Sequence, residues 1–96
     1  MVAFAIVRVD VTDPEQYDKY KLLTPAAAAA FGGKFIVRGG PSETLEGEEE
    51  TRRVVVLEFP DMDSARRFYD SPLYREARAV RAGAADMQLV IVEGAD

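Results

Sequence analysis

The chain predicts an α+β fold of the β-α-β-β-α-β type: one four-stranded antiparallel sheet with its helices on a single face. Three observations carry that expectation. Four short runs rich in valine, isoleucine and phenylalanine read as strands. The stretches after the first and third of them open on "DP" and "PD" signals and carry apolar residues at helical spacing. No linker, low-complexity tract or 20–50-residue period interrupts the 96 residues, so positions 1–96 read as one domain.

The first strand is "VAFAIVRVDV", which no proline interrupts. A helix follows from "TDPEQYDKYKLL", with Asp13 as N-cap and Pro14 at the first helical position. Tyr17, Tyr20, Ala27 and Phe31 fall near one stripe of it. Pro25 removes a backbone hydrogen bond, which predicts a kink or short break. Gly32 and Gly33 end the helix, and "KFIVRG" is the second strand. "GPSETLEGEEET" reads as a solvated connection to the third strand, "RRVVVLEF". Pro60 and Asp61 close that strand and cap "MDSARRFYD", with Ala65, Phe68 and Tyr69 expected inward. Ser71–Pro72 restarts the helix as "PLYREARAVRA", where Leu73, Ala77 and Val80 share a face and Gly83 stops the run. "MQLVIVEG" is the last strand. Right-handed crossovers place both helical stretches on one face and give the strand order 4-1-3-2, a ferredoxin-like arrangement.

A sheet with one wet face alternates apolar and polar residues. These strands do not. Val2, Phe4 and Ile6 oppose Ala3, Ala5, Val7 and Val9; Val54 and Val56 oppose Val55, Leu57 and Phe59; Val90 and Val92 oppose Leu89 and Ile91. Two helices cover one face only. The other would expose an apolar patch larger than soluble monomers carry, and the economical cover is a second copy of the sheet. A homodimer through sheet faces is therefore expected.

Composition narrows the chemistry. The chain has neither cysteine nor histidine, so it offers no thiolate, no imidazole base and no ordinary zinc or haem ligand; no metal and no cofactor are expected. A net charge of −5 argues against nucleic acid. The apolar start "VAFAIV" is broken by Arg8 and Asp10, too soon for a membrane span or a secretory core, so the expected setting is cytoplasmic.

Arg8, Asp10, Arg38 and Arg53 should gather at one end of the sheet, with Gln88 nearby. Guanidinium groups bind planar oxyanions bidentately, so a small anionic molecule, such as a carboxylate, is an expected partner. In that reading Arg8 and Arg38 project toward one cavity beside Tyr17 and Tyr69 of the helices. The alternative is structural: the arginines pair with Asp10, Glu46 or the acids of a second chain. Glu58, a carboxylate on a strand between Val56 and Pro60, and Tyr69 are the candidates for acid–base work; a Glu58 bonded to a tyrosine or arginine would do none. "EGEEE" at 46–50 reads as a solvated hairpin tip. "FIVRGG" lacks the spacing of a dinucleotide fingerprint.

"KFIVRGG", "LEG", "RRVVVLEFPD", "FYDSPLYREARAVRAGAA" and "LVIVEG" together resemble the family known as domain of unknown function 1330, over nearly the whole chain. The resemblance implies a dimeric α+β barrel, in which two ferredoxin-like sheets stack, and it implies no established activity. Related barrels include monooxygenases, lactone isomerases, haem enzymes and dehydratases; the absence of histidine speaks against the haem branch. Three functions follow as alternatives: a barrel with an anionic-ligand pocket, a homodimer whose polar residues only stabilise it, or a cofactor-free monooxygenase- or isomerase-like enzyme. An enclosed pocket favours the first, and arginines that are all ion-paired favour the second.

Overall fold

The structure, a computed structural model, describes residues 1–95. The elements are β1 (Ala3–Val11), α1 (Pro14–Ala29), β2 (Lys34–Arg38), β3 (Arg53–Phe59), α2 (Met62–Asp70), α3 (Pro72–Arg81) and β4 (Ala85–Glu93). The start signals act as their chemistry requires. The Asp13 carboxylate accepts from the Gln16 N–H, Asp61 from that of Ser64, and the Ser71 hydroxyl from that of Tyr74. The sheet is antiparallel in the order β2-β3-β1-β4, as the ferredoxin-like topology predicts.

Alternation along β1 decides what is buried. Ala3, Ala5, Val7 and Val9 face the helices together with Val55, Leu57 and Phe59 of β3. Across from them lie Tyr17, Tyr20, Ala27 and Ala28 of α1, with Ala65, Phe68, Tyr74 and Ala77 of α2 and α3. The fully buried alanines let helix and sheet backbones approach closely. Phe59 and Phe68, with ring centroids 5.1 Å apart, fill the remaining depth. Each large apolar side chain so buried stabilises by about 1.5–3 kcal/mol.

Some details differ from the sequence-based expectations. Helix α1 runs through Pro25 without a break. The carbonyl of Lys21, which proline cannot pair, accepts instead from Arg38 Nη2 at 2.9 Å and from Thr24 Oγ1 at 3.4 Å. Leu73 points outward at 47% exposure, and Tyr74 takes the inward place on α3. Tyr69 lies at the edge of α2, 36% exposed, rather than in the core. In β2 a bulge falls between Phe35 and Val37, where Ile36 is the extra residue.

On the helix-free face Phe4, Ile6, Val54 and Val56 are half-buried, while Val90 and Val92 are each 44% exposed. Among the described residues no helix is long and apolar enough to cross a membrane.

Candidate functional site

The bulge in β2 positions the site. Phe35 pairs with Leu57 and faces the helices; strict alternation would then turn Arg38 to the open face. The extra residue restores the opposite parity, so Arg38 pairs with Val55 and points under α1. Its guanidinium lies 4.3 Å from the Phe35 ring centroid and donates to the Lys21 carbonyl. Arg53, at the start of β3, enters the same space and donates from Nη2 to the Arg38 carbonyl at 3.4 Å. Gly39, at φ +72°, makes room for it: a Cβ there would collide with the Arg53 guanidinium. The "RGG" that ends β2 is thus a seat for a second arginine as well as a turn.

Both arginines are held by backbone carbonyls, which accept hydrogen bonds but carry no net charge. Among the described residues neither has a carboxylate in ion-pair reach, and Arg53 Nε is buried without a hydrogen-bond partner. Arg53 is half-buried and Arg38 is exposed, and two neighbouring guanidinium groups without a carboxylate favour an anion beside them.

Behind the arginines a narrow, mostly apolar cleft of about 30 Å³ runs between α1 and the sheet, walled by Val55, Leu57, Phe35 and Leu89 and by Tyr17, Tyr20 and Tyr74. That is room for a water or two, or for the slender end of a larger molecule. In front of them an open basin of about 570 Å³ lies between Asp18, Lys21, Leu22 and Pro25. Lys21, Arg38 and Arg53 border both spaces, so they form the mouth. The Lys21 charge is met by Asp18 at 3.1 Å; the arginine charges are not met.

The cleft's hydroxyls come from the tyrosine ladder. Tyr17 and Tyr20 sit with ring centroids 5.3 Å apart, and the Tyr20 and Tyr74 hydroxyls are 2.7 Å apart. Burial, then the Tyr74 phenol, pushes the Tyr20 pKa far above its ordinary value; burial also raises Tyr17, against the pull of Arg53. Both are neutral donors at neutral pH.

The expected positive corner forms at one end of the sheet but on two faces. Arg8 pairs with Val54 and Gln88 across the strands and shares the open face with Phe4 and Ile6, so it does not share a cavity with Arg38. Its Nε meets Glu50 at 2.9 Å, and Arg52 binds the same carboxylate through Nε and Nη2, each at 3.0 Å. The Arg52 hydrogen bond holds the Glu50 carboxyl below its usual range. Glu50 therefore belongs to a structural knot, not to a free hairpin tip, and it takes the place expected of Asp10 or Glu46. Glu58 also lies on the open face, 3.2 Å from Lys34 rather than beside a tyrosine or arginine. Tyr17 lines the cleft, but Tyr69 does not; it stacks under Arg78 at 4.2 Å, over a separate shallow pocket with Leu89 and Ile91. No cluster of three or more acidic side chains placed to hold a metal ion occurs among the described residues. Sequence reasoning gave Lys21 no role at the mouth and Arg81 none beside the tyrosines; Arg81 lies seven residues after Tyr74, on the same helical stripe.

Fold and site together define a small ferredoxin-like α+β protein with a cationic mouth over an aromatic cleft. The chain belongs to the family described as domain of unknown function DUF1330, whose model matches residues 2–95. Solved structures repeat the fold. A protein of unknown function from Rhodopseudomonas palustris superimposes with a TM-score of 0.78 at 22% identity, covering 99% of this chain and 83% of that one. A dimeric ferredoxin-like protein of unknown function from Jannaschia sp. CCS1 gives 0.74 at 15% identity, covering 98% and 100%. SnoaB, a cofactor-independent oxygenase from Streptomyces nogalater, gives 0.63 at 16% identity, covering 99% and 94%. No functionally curated protein matches the chain by sequence.

Proposed function

We propose that the protein is a homodimeric barrel that binds a small carboxylate at the mouth formed by Arg38 and Arg53, with the molecule's apolar part in the cleft behind. The observation that carries this reading is the pair of guanidinium groups, seated on backbone carbonyls and unmatched by any acid among the described residues. Arg8 and Arg52, by contrast, share the Glu50 carboxylate. Apolar walls and a few convergent donors are the usual make-up of a small-molecule site.

The dimer half of the proposal rests on the open sheet face, where Phe4, Ile6, Val54, Val56, Val90 and Val92 form one continuous apolar surface. A sheet-on-sheet interface would leave the cleft accessible, because the cleft lies on the opposite face. The likeness to SnoaB is one of fold and gives this chain no oxygenase chemistry.

The test is a thermal-shift screen of aromatic and aliphatic carboxylates on the wild type and on Arg38→Ala. Specific binders raise the melting temperature by mass action. Arg38→Ala should weaken them by roughly 1.5–3 kcal/mol, the worth of a charged hydrogen bond, with the dimer intact. Equal shifts in both proteins, or none in either, would refute the assignment.

A further inference from the structure

Away from the mouth, the cleft is lined by a second set of donors, Tyr20 and Tyr74. The Tyr20 and Tyr74 hydroxyls bond to each other, which uses one hydroxyl hydrogen; the other has no protein acceptor among the described residues. Tyr74 is 1% exposed and Tyr20 is 6% exposed. Arg81 stands over the Tyr20 ring, 5.4 Å from its centroid, and its Nε is buried with no hydrogen-bond partner. No carboxylate meets Arg81 among the described residues. Two phenols and a guanidinium therefore stand together as donors, with only the phenol oxygens to accept. A core built for packing alone would place an acceptor here, or apolar groups.

We infer that the Tyr20 and Tyr74 hydroxyls, with Arg81 beside the Tyr20 ring, form an oxyanion subsite, and that the bound molecule carries a second oxygen (a carbonyl, enolate or phenolate) to meet it. Tyr20 and Tyr74 line the cleft but not the outer basin, whereas Arg38 and Arg53 line both. The two donor sets thus share one cleft, with the arginines at its mouth and the tyrosines away from the outer basin. This favours an oxo- or hydroxy-carboxylate over a carboxylate without the second oxygen. The carboxylate end rests on the role proposed for Arg38 and Arg53; the oxygen end stands on the tyrosine pair alone.

Two probes separate the ends. 4-Nitrophenol has an acidic oxygen, no carboxylate, and an anion that absorbs visible light; benzoate has the carboxylate without the second oxygen. The wild type should bind 4-nitrophenol as its anion and shift its ionisation toward lower pH by roughly ten- to a hundredfold in the equilibrium constant, the effect of a charged hydrogen bond. Tyr74→Phe and, separately, Tyr20→Phe should lose most of that shift, a much larger loss than either causes in benzoate binding, while circular dichroism shows the fold. Arg38→Ala should do the converse. If the wild type takes up 4-nitrophenol only as the neutral phenol, or not at all, the subsite is refuted. A shift that survives both phenylalanine variants refutes it equally. Loss of benzoate binding in Tyr74→Phe, with no selective effect on 4-nitrophenol, would make the pair a packing element.

Discussion

At Gly39 the backbone and a neighbouring side chain impose the same requirement. Its φ of +72° disfavours any side chain, and the space a Cβ would take is filled by the Arg53 guanidinium. Gly39→Ala should therefore cost about 1–2 kcal/mol in urea unfolding from the dihedral alone. It should also weaken carboxylate binding, because Arg53 must leave its seat; binding equal to wild type would contradict that. Titratable residues set the pH range of the fold. Glu50 and Asp61 have lowered folded-state pKa values, through Arg52 and the Ser64 backbone respectively, so their stabilisation holds above about pH 4 and is lost as pH falls through those values. Tyr20 and Tyr17 have raised values, mainly through burial, so theirs holds below about pH 10 and is lost as pH rises. Melting temperature against pH should show both limbs, and Tyr20→Phe should flatten the alkaline one. An alkaline limb unchanged by that substitution would show that Tyr20 does not control it.

Helix α1 and strand β2 are coupled through Pro25. Proline leaves the Lys21 carbonyl free, and Arg38 takes it up, so a local flaw in the helix becomes the anchor of a mouth residue. Pro25→Ala would supply the missing N–H and should raise thermal stability, by up to about 3 kcal/mol on helix propensity. It should also loosen Arg38 and weaken carboxylate binding several-fold. A stabilised variant with undiminished binding would break the coupling. The elements themselves were legible because each begins on a chemical signal: Asp13, Asp61 and Ser71 all cap as their side chains predict. The parity of β1 was legible too, and it already puts Arg8 with Phe4 and Ile6 on the open face. Arg38 was not legible. Its orientation depends on one bulged residue, Ile36, and bulges leave no mark in a β-branched run. The partner of Arg8 was hidden for a different reason, since Glu50 lies in an acidic stretch whose composition reads as solvated.

For the whole molecule, the sheet divides the labour. One face holds helices, cleft and unpaired arginines; the other holds the apolar surface proposed for the second copy, with Lys34–Glu58 and Arg8–Glu50 among its polar contacts. Sedimentation equilibrium at micromolar concentration should find a dimer. Ile6→Lys would bury an unpaired charge at its centre, which costs several kcal/mol, so association should weaken more than about tenfold. A wild-type monomer would remove the barrel from the proposal. The carboxylate site itself is open to a direct measurement: the arginine Nε–H resonances, followed by NMR during a benzoate titration. Arg38 and Arg53 should shift saturably with one shared affinity, while Arg8 and Arg52, both occupied by Glu50, stay in place. Static Arg38 and Arg53 signals, or a uniform drift of all four, would contradict a carboxylate site at the mouth.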